Sequence, residues 1–107
     1  MRNPKGNEIL KQLIKEVEST GISTDLITAL QEARELAKSE NDPLITRALR
    51  LLWQHLEANE SFEVPLAEEI ETATDNLIFF ISLCVKSDNE LNRDELRVMT
   101  QQLQELA

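Results

Sequence analysis

Ile9, Leu10, Leu13, Ile14 and Val17 recur at steps of three and four residues, a spacing that places all five on one arc of a helix. The pattern predicts a first helix over 4–19, stopped by Gly21, which enters left-handed backbone conformations at little cost. Ser23 or Thr24 is placed to cap a second helix over 24–39, whose inward face is Leu26, Ile27, Leu30, Ala33, Leu36 and Ala37. Asn41, Asp42 and Pro43 then punctuate the chain. Asp42 can accept the orphan amides of a new helix, and Pro43 suits its first position, where a missing N–H costs nothing. The third helix, over 43–58, centres on Ile45, Leu49, Leu52 and Leu56. Leu44, Ala48 and Leu51 lie on one flank and Trp53 on the other, an arc wide enough to need more than one neighbour.

The stretch 59–64 is the longest connection before Pro65, which opens a fourth helix over 65–86. Its seam of Leu66, Ile70, Ala73, Leu77, Phe80 and Cys84 alternates by four and three, the spacing of packed helix bundles. From Leu77 onward Ile78, Phe79, Ile81, Leu83 and Val85 carry the apolar surface around nearly the whole circumference. That segment, 77–85, is expected to form the centre of the bundle, with a homodimer contact as its alternative use. Asn92 followed by Glu95 has the spacing of a capping box, and Leu91 is placed to staple onto Leu96. The pattern therefore predicts a fifth helix over 93–106, with a narrow stripe of Leu96, Met99, Leu103 and Leu106 that should dock on one neighbour. The fold class that follows is all-α, a compact bundle of four to five helices.

Composition agrees with that pattern and narrows the setting. A chain of 107 residues with two glycines and no tyrosine lacks the turn and strand formers that sheets draw on. An apolar fraction of 41% argues for a folded core, and the length accommodates one domain over 1–107. Cys84 sits alone in the most apolar segment, so it is expected to be a small core residue in a reducing compartment. Residues 1–7 lack the layout of a secretory signal and no apolar run approaches the roughly 20 residues that span a bilayer, so no membrane contact and a cytoplasmic location are expected.

Charge changes the picture more. The formal net charge is −9, and seven carboxylates between positions 50 and 86 (Glu57, Glu60, Glu63, Glu68, Glu69, Glu71, Asp75) have no lysine or arginine among them. Glu68 and Glu69 fall in the first turn after Pro65, where negative charge complements the helix dipole by about 0.3–1 kcal/mol each. Glu57 and Glu60 fall near the end of the third helix, where the same dipole disfavours them. The stretch holding Glu57, Glu60, Glu63, Glu68, Glu71 and Asp75 is therefore the expected interaction surface, and its complement is a basic protein partner.

Paired glutamates also raise metal chemistry. Glu32/Glu35, Glu57/Glu60, Glu60/Glu63 and Glu68/Glu71 have the i, i+3 spacing that lets facing helices hold Mg²⁺ or Mn²⁺ against a phosphate. In this the chain resembles the all-α nucleotide pyrophosphohydrolases. That resemblance implies metal ligation by Glu68, Glu71 and one of Glu32 and Glu35, although the chain has no Glu-x-x-Asp. Twenty acids in a chain of this length produce about four such pairs by chance. No cofactor is otherwise expected. His55 projects onto the edge of the third helix's apolar arc beside Ala48 and Leu51, as a core-edge histidine does. The acidic turn 87–95 is similar to interhelical turns of tellurite-resistance-type helical domains. It is no EF-hand, because counting from Asp88 the sixth position is Arg93 and the twelfth is Met99.

A pI near 4.5 disfavours direct nucleic-acid binding. Arg34, Lys38, Arg47 and Arg50 nevertheless gather around the turn between the second and third helices. Intrachain pairing is the expected fate of these cations, Arg50 with Asp75 for example if the third and fourth helices pack antiparallel. The functional expectation is a non-enzymatic interaction or regulatory module. The alternatives are a Mg²⁺-dependent phosphohydrolase and an acidic inhibitor or antitoxin that mimics nucleic acid.

Overall fold

The computed structural model describes residues 1–21, 23–59 and 73–105. Among these, five helices and no strand are present: α1 Pro4–Thr20, α2 Thr24–Ser39, α3 Pro43–Asn59, α4 Ala73–Val85 and α5 Glu90–Glu105. The first three match the apolar periodicity to within a residue. Asn3 caps α1 by accepting from the Gly6 amide at 3.0 Å, and Gly21, with φ 78°, ends it by donating to the Val17 carbonyl. A side chain at Gly21 would strain that backbone. Ser23 takes the N-cap position of α2 without a side-chain hydrogen bond.

The α2–α3 turn is tighter than its sequence suggests. Asn41, with φ 58°, donates its amide to the Lys38 carbonyl, and the Asp42 amide reaches the Ala37 carbonyl at 3.2 Å, the two bonds of a Schellman ending. Asp42 then begins the next helix by accepting from the Ile45 amide at 3.3 Å. One residue thus ends one helix and caps the next.

The helices alternate in direction and form a closed ring in the order α1, α2, α3, α5, α4. All five contribute to one core. Leu10, Leu13 and Val17 meet Leu26, Leu30, Ala33 and Ala37, then Ile45, Leu49, Leu52 and Leu56, with Leu77, Phe80, Ile81 and Cys84 from α4 and Leu96, Met99 and Leu103 from α5. Full burial of a leucine or phenylalanine contributes about 1.5–3 kcal/mol of transfer free energy. The segment 77–85 is mostly consumed by this core, leaving Ile78, Phe79 and Val85 half-buried. No described helix is long and apolar enough to cross a membrane.

Four expectations about the C-terminal third are corrected. α5 begins three residues before the expected start, because Asn89 rather than Asn92 caps it, accepting from the amides of Leu91 at 2.9 Å and Asn92 at 3.3 Å. Asn92 lies inside the helix and donates to the Lys86 carbonyl at 3.2 Å, so there is no capping box with Glu95. Leu91 is 79% exposed and staples nothing. Finally, the narrow stripe of α5 docks on two neighbours, α3 and α4, because it sits over the groove between them. The expected start of the fourth helix, with Leu66 and Ile70 of its seam, and the end of the fifth at Leu106 lie outside the described residues.

Candidate functional site

Polar contacts show which ends of the helices share a pole. The Met1 amino group donates to the Cys84 carbonyl at 2.6 Å, the Val85 carbonyl at 3.0 Å and Ser87 Oγ at 2.6 Å, joining the start of α1 to the end of α4. That places positive charge where the carbonyls of α4 run out. Its burial lowers the pKa of this amino group despite the nearby carboxylates. Met1 also folds over Gly6, where a Cβ would fall 2.2 Å from the methionine methyl. The Arg2 amide reaches Glu40 Oε1 at 3.3 Å, joining α1 to the end of α2.

Arg93, at the start of α5, grips Asp42 with both arms, Nη2 to Oδ1 at 2.7 Å and Nη1 to Oδ2 at 3.1 Å, and also donates to the Ser87 carbonyl. Burial opposes ionisation of Asp42, yet the Arg93 and Ile45 hydrogen bonds prevail and hold its pKa below the ordinary value. Five helix ends and two turns are thus locked at one pole.

A cleft of about 370 Å³ opens beside this lock, between α2 and the first half of α3. Arg34 and Lys38 line it from α2, Asn41, Asp42 and Pro43 from the turn, and Thr46, Arg47 and Arg50 from α3. The Thr46 hydroxyl is tied to the Asp42 carbonyl at 2.7 Å. Ion pairs among the described residues are Arg34–Glu35, Asp42–Arg93 and Asp94–Arg97. Lys38, Arg47 and Arg50 therefore have no described carboxylate as partner, and Arg47 makes one long bond, 3.4 Å, to neutral Gln101. The expected pairing of Arg50 with Asp75 is absent, because α5 rather than α4 lies against that side of α3. Arg34 Nε is covered and has no acceptor. Sequence spacing brought these four cations together, but it did not show that the carboxylate of the turn would be taken by Arg93.

The opposite pole holds the ends of α1, α3 and α5 and the starts of α2 and α4. Glu57, in the last turn of α3, and Asp75, in the first turn of α4, are both exposed there. Glu60, Glu63, Glu68, Glu69 and Glu71 lie outside the described residues. Glu32 and Glu35 are exposed on the outer face of α2, and Glu35 pairs with Arg34 at 3.1 Å. Among the described residues no three histidine, cysteine or acidic side chains converge as a metal site would require.

Cys84 is fully buried and its thiol is pushed up to about 12 by that burial, which makes it a packing residue and a poor nucleophile. His55 is half-buried at the core edge, and burial lowers its pKa. Its carbonyl accepts from Asn59 Nδ2 at 3.0 Å.

The fold defines the class of protein as an all-α bundle, with five helices among the described residues. No family model matches the chain, and no curated protein and no solved structure matches it.

Proposed function

We propose that the protein is a non-enzymatic helical interaction module that meets a basic protein partner through the pole carrying Glu57 and Asp75. The observation that carries this reading is the run of seven carboxylates between positions 50 and 86 without a lysine or arginine, of which Glu57 and Asp75 are exposed at that pole. In sequence the stretch 60–72 joins α3 to α4, and it holds Glu60, Glu63, Glu68, Glu69 and Glu71 without one lysine or arginine. Glu57 supports the reading further, because a carboxylate in the last turn of α3 works against the helix dipole and folding alone gives no reason for it. An uncompensated field of one sign accelerates encounter with an opposite surface and sets its salt dependence.

Reversal of Glu57, Glu60 and Glu63 to lysine tests the reading in a capture experiment from cell lysate. Loss of a basic protein retained by the unaltered chain, with the same loss at high salt, is the expected result. Unchanged capture overturns it. If the captured protein normally binds DNA or RNA and is displaced from it, the acidic pole acts as a nucleic-acid mimic. A second copy of the chain has only half-buried Ile78, Phe79 and Val85 to hold in the segment 77–85. Light scattering that reports monomer at high concentration removes the dimer.

A further inference from the structure

We propose that the cleft between α2 and α3 binds an oligophosphate, a linear di- or triphosphate group either free or carried as an ester. This inference is independent of the acidic pole, at the other end of the bundle.

Three observations carry it. The cleft gathers four cationic side chains in a protein whose formal net charge is −9, and Arg34 is the one among them with a described carboxylate partner. Concentrated positive charge of that kind is unfavourable by itself and is relieved by an anion. The cations also stand in two rows. Arg34 and Lys38 are four residues apart on α2, and Arg47 and Arg50 three apart on α3, so each row extends along one helical turn, about 5–6 Å between neighbouring Cβ atoms. A single phosphate cannot span a full turn on both walls, whereas a chain of two or three can meet both.

The third observation concerns the carboxylate inside the cleft. Asp42 would repel an anion if its charge were free, but Arg93 takes both of its oxygens from the other side. The first turn of α3, at Pro43 and Thr46, then presents the positive end of the helix dipole to the same space.

Cleft size favours a small ligand. A volume of about 370 Å³ falls at the lower end of small-molecule sites, which run from about 300 to 1,000 Å³. A nucleic-acid track needs an extended basic stripe, and a protein this acidic repels a long polyanion outside the cleft.

Titration calorimetry of the full chain with sodium tripolyphosphate, in metal-free buffer of low ionic strength, tests the assignment. One-to-one binding is expected, weakened about tenfold or more in a variant carrying Lys38→Gln and Arg50→Gln. Both side chains are exposed, so circular dichroism should be unchanged and the melting midpoint should not fall. A variant carrying Lys5→Gln and Lys11→Gln makes the same change in net charge on exposed positions of α1 and should bind like the unaltered chain. ATP in a parallel titration separates the two sources, since tighter binding than tripolyphosphate indicates an ester and equal or weaker binding the free chain. Absence of binding overturns the proposal, as does equal weakening by the two double variants. An affinity for single-stranded RNA that grows with its length would transfer the cleft to nucleic acid and overturn it as well.

Discussion

The two poles of the bundle use carboxylates in opposite ways. At the Met1 pole Asp42 is buried, doubly bonded by Arg93 and fixed by the Ile45 amide, so its charge is spent inside the fold. At the other pole Glu57 and Asp75 are exposed, and the acidic stretch between them brings no cation of its own. The same residue class is thus bonded into the fold at one pole and exposed at the other. The cleft extends the lesson to cations, because Arg93 is committed to Asp42 while Lys38 and Arg50, lining the cleft beside that pair, are left to solvent.

The largest effect should come from breaking the committed pair. Arg93→Ala strands the Asp42 carboxylate in a buried site, and a loss of about 2–4 kcal/mol in denaturant unfolding is expected. Removal of both charges together, as Asp42→Asn with Arg93→Met, should cost clearly less. If the single change costs no more than the double, the junction is not the lock described here.

Acid should reveal the same asymmetry. The Asp42 pKa in the fold lies below its ordinary value of 3.8, so its contribution is fully present above that value and is lost as pH falls toward the folded-state pKa. His55 acts in the same direction at higher pH. Burial lowers its pKa from 6.5, so below that value the unfolded chain takes up a proton that the folded chain resists. Denaturation midpoints between pH 7 and 3 should fall in two stages, the upper one missing in His55→Gln and the lower one reduced in Asp42→Asn. A flat profile would contradict both environments.

At the acidic pole the sign reverses. Glu57→Lys puts a cation in the last turn of α3 and should raise stability by about 0.3–1 kcal/mol while weakening partner capture, a stability gained at the expense of function. A loss of stability would show that Glu57 is structural. The smallest effect is expected at Thr100, which is buried with its hydroxyl unpartnered. Thr100→Val keeps the shape and removes the unmet group, so thermal stability should hold or rise by up to roughly 1 kcal/mol.

Much of this architecture was legible beforehand because helical periodicity is a local signal. The inward faces of α1, α2 and α3 were readable from spacing alone, and the wide arc of α3 foretold its two neighbours, α2 and α5. The α4–α5 turn was less legible because Asn89 and Asn92 both suit a cap, and the choice went to the residue that let Asn92 bond the Lys86 carbonyl. The four cations of the cleft were visible as a cluster around one turn. Their fate was not, since it depended on which helix lay beside α3.

Sequence by itself determined the helical class, the inward faces of α1 to α3, the Asp42–Pro43 start of α3 and the concentration of acid between positions 57 and 75, because each rests on residues near one another along the chain. Tertiary structure alone decided the ring order that seats α5 between α3 and α4, the seating of the Met1 amine on the end of α4, and the commitment of Arg93 to Asp42. Those contacts join residues more than fifty positions apart, or helices distant in sequence, and no local spacing encodes which of several oppositely charged groups will meet once the core has closed.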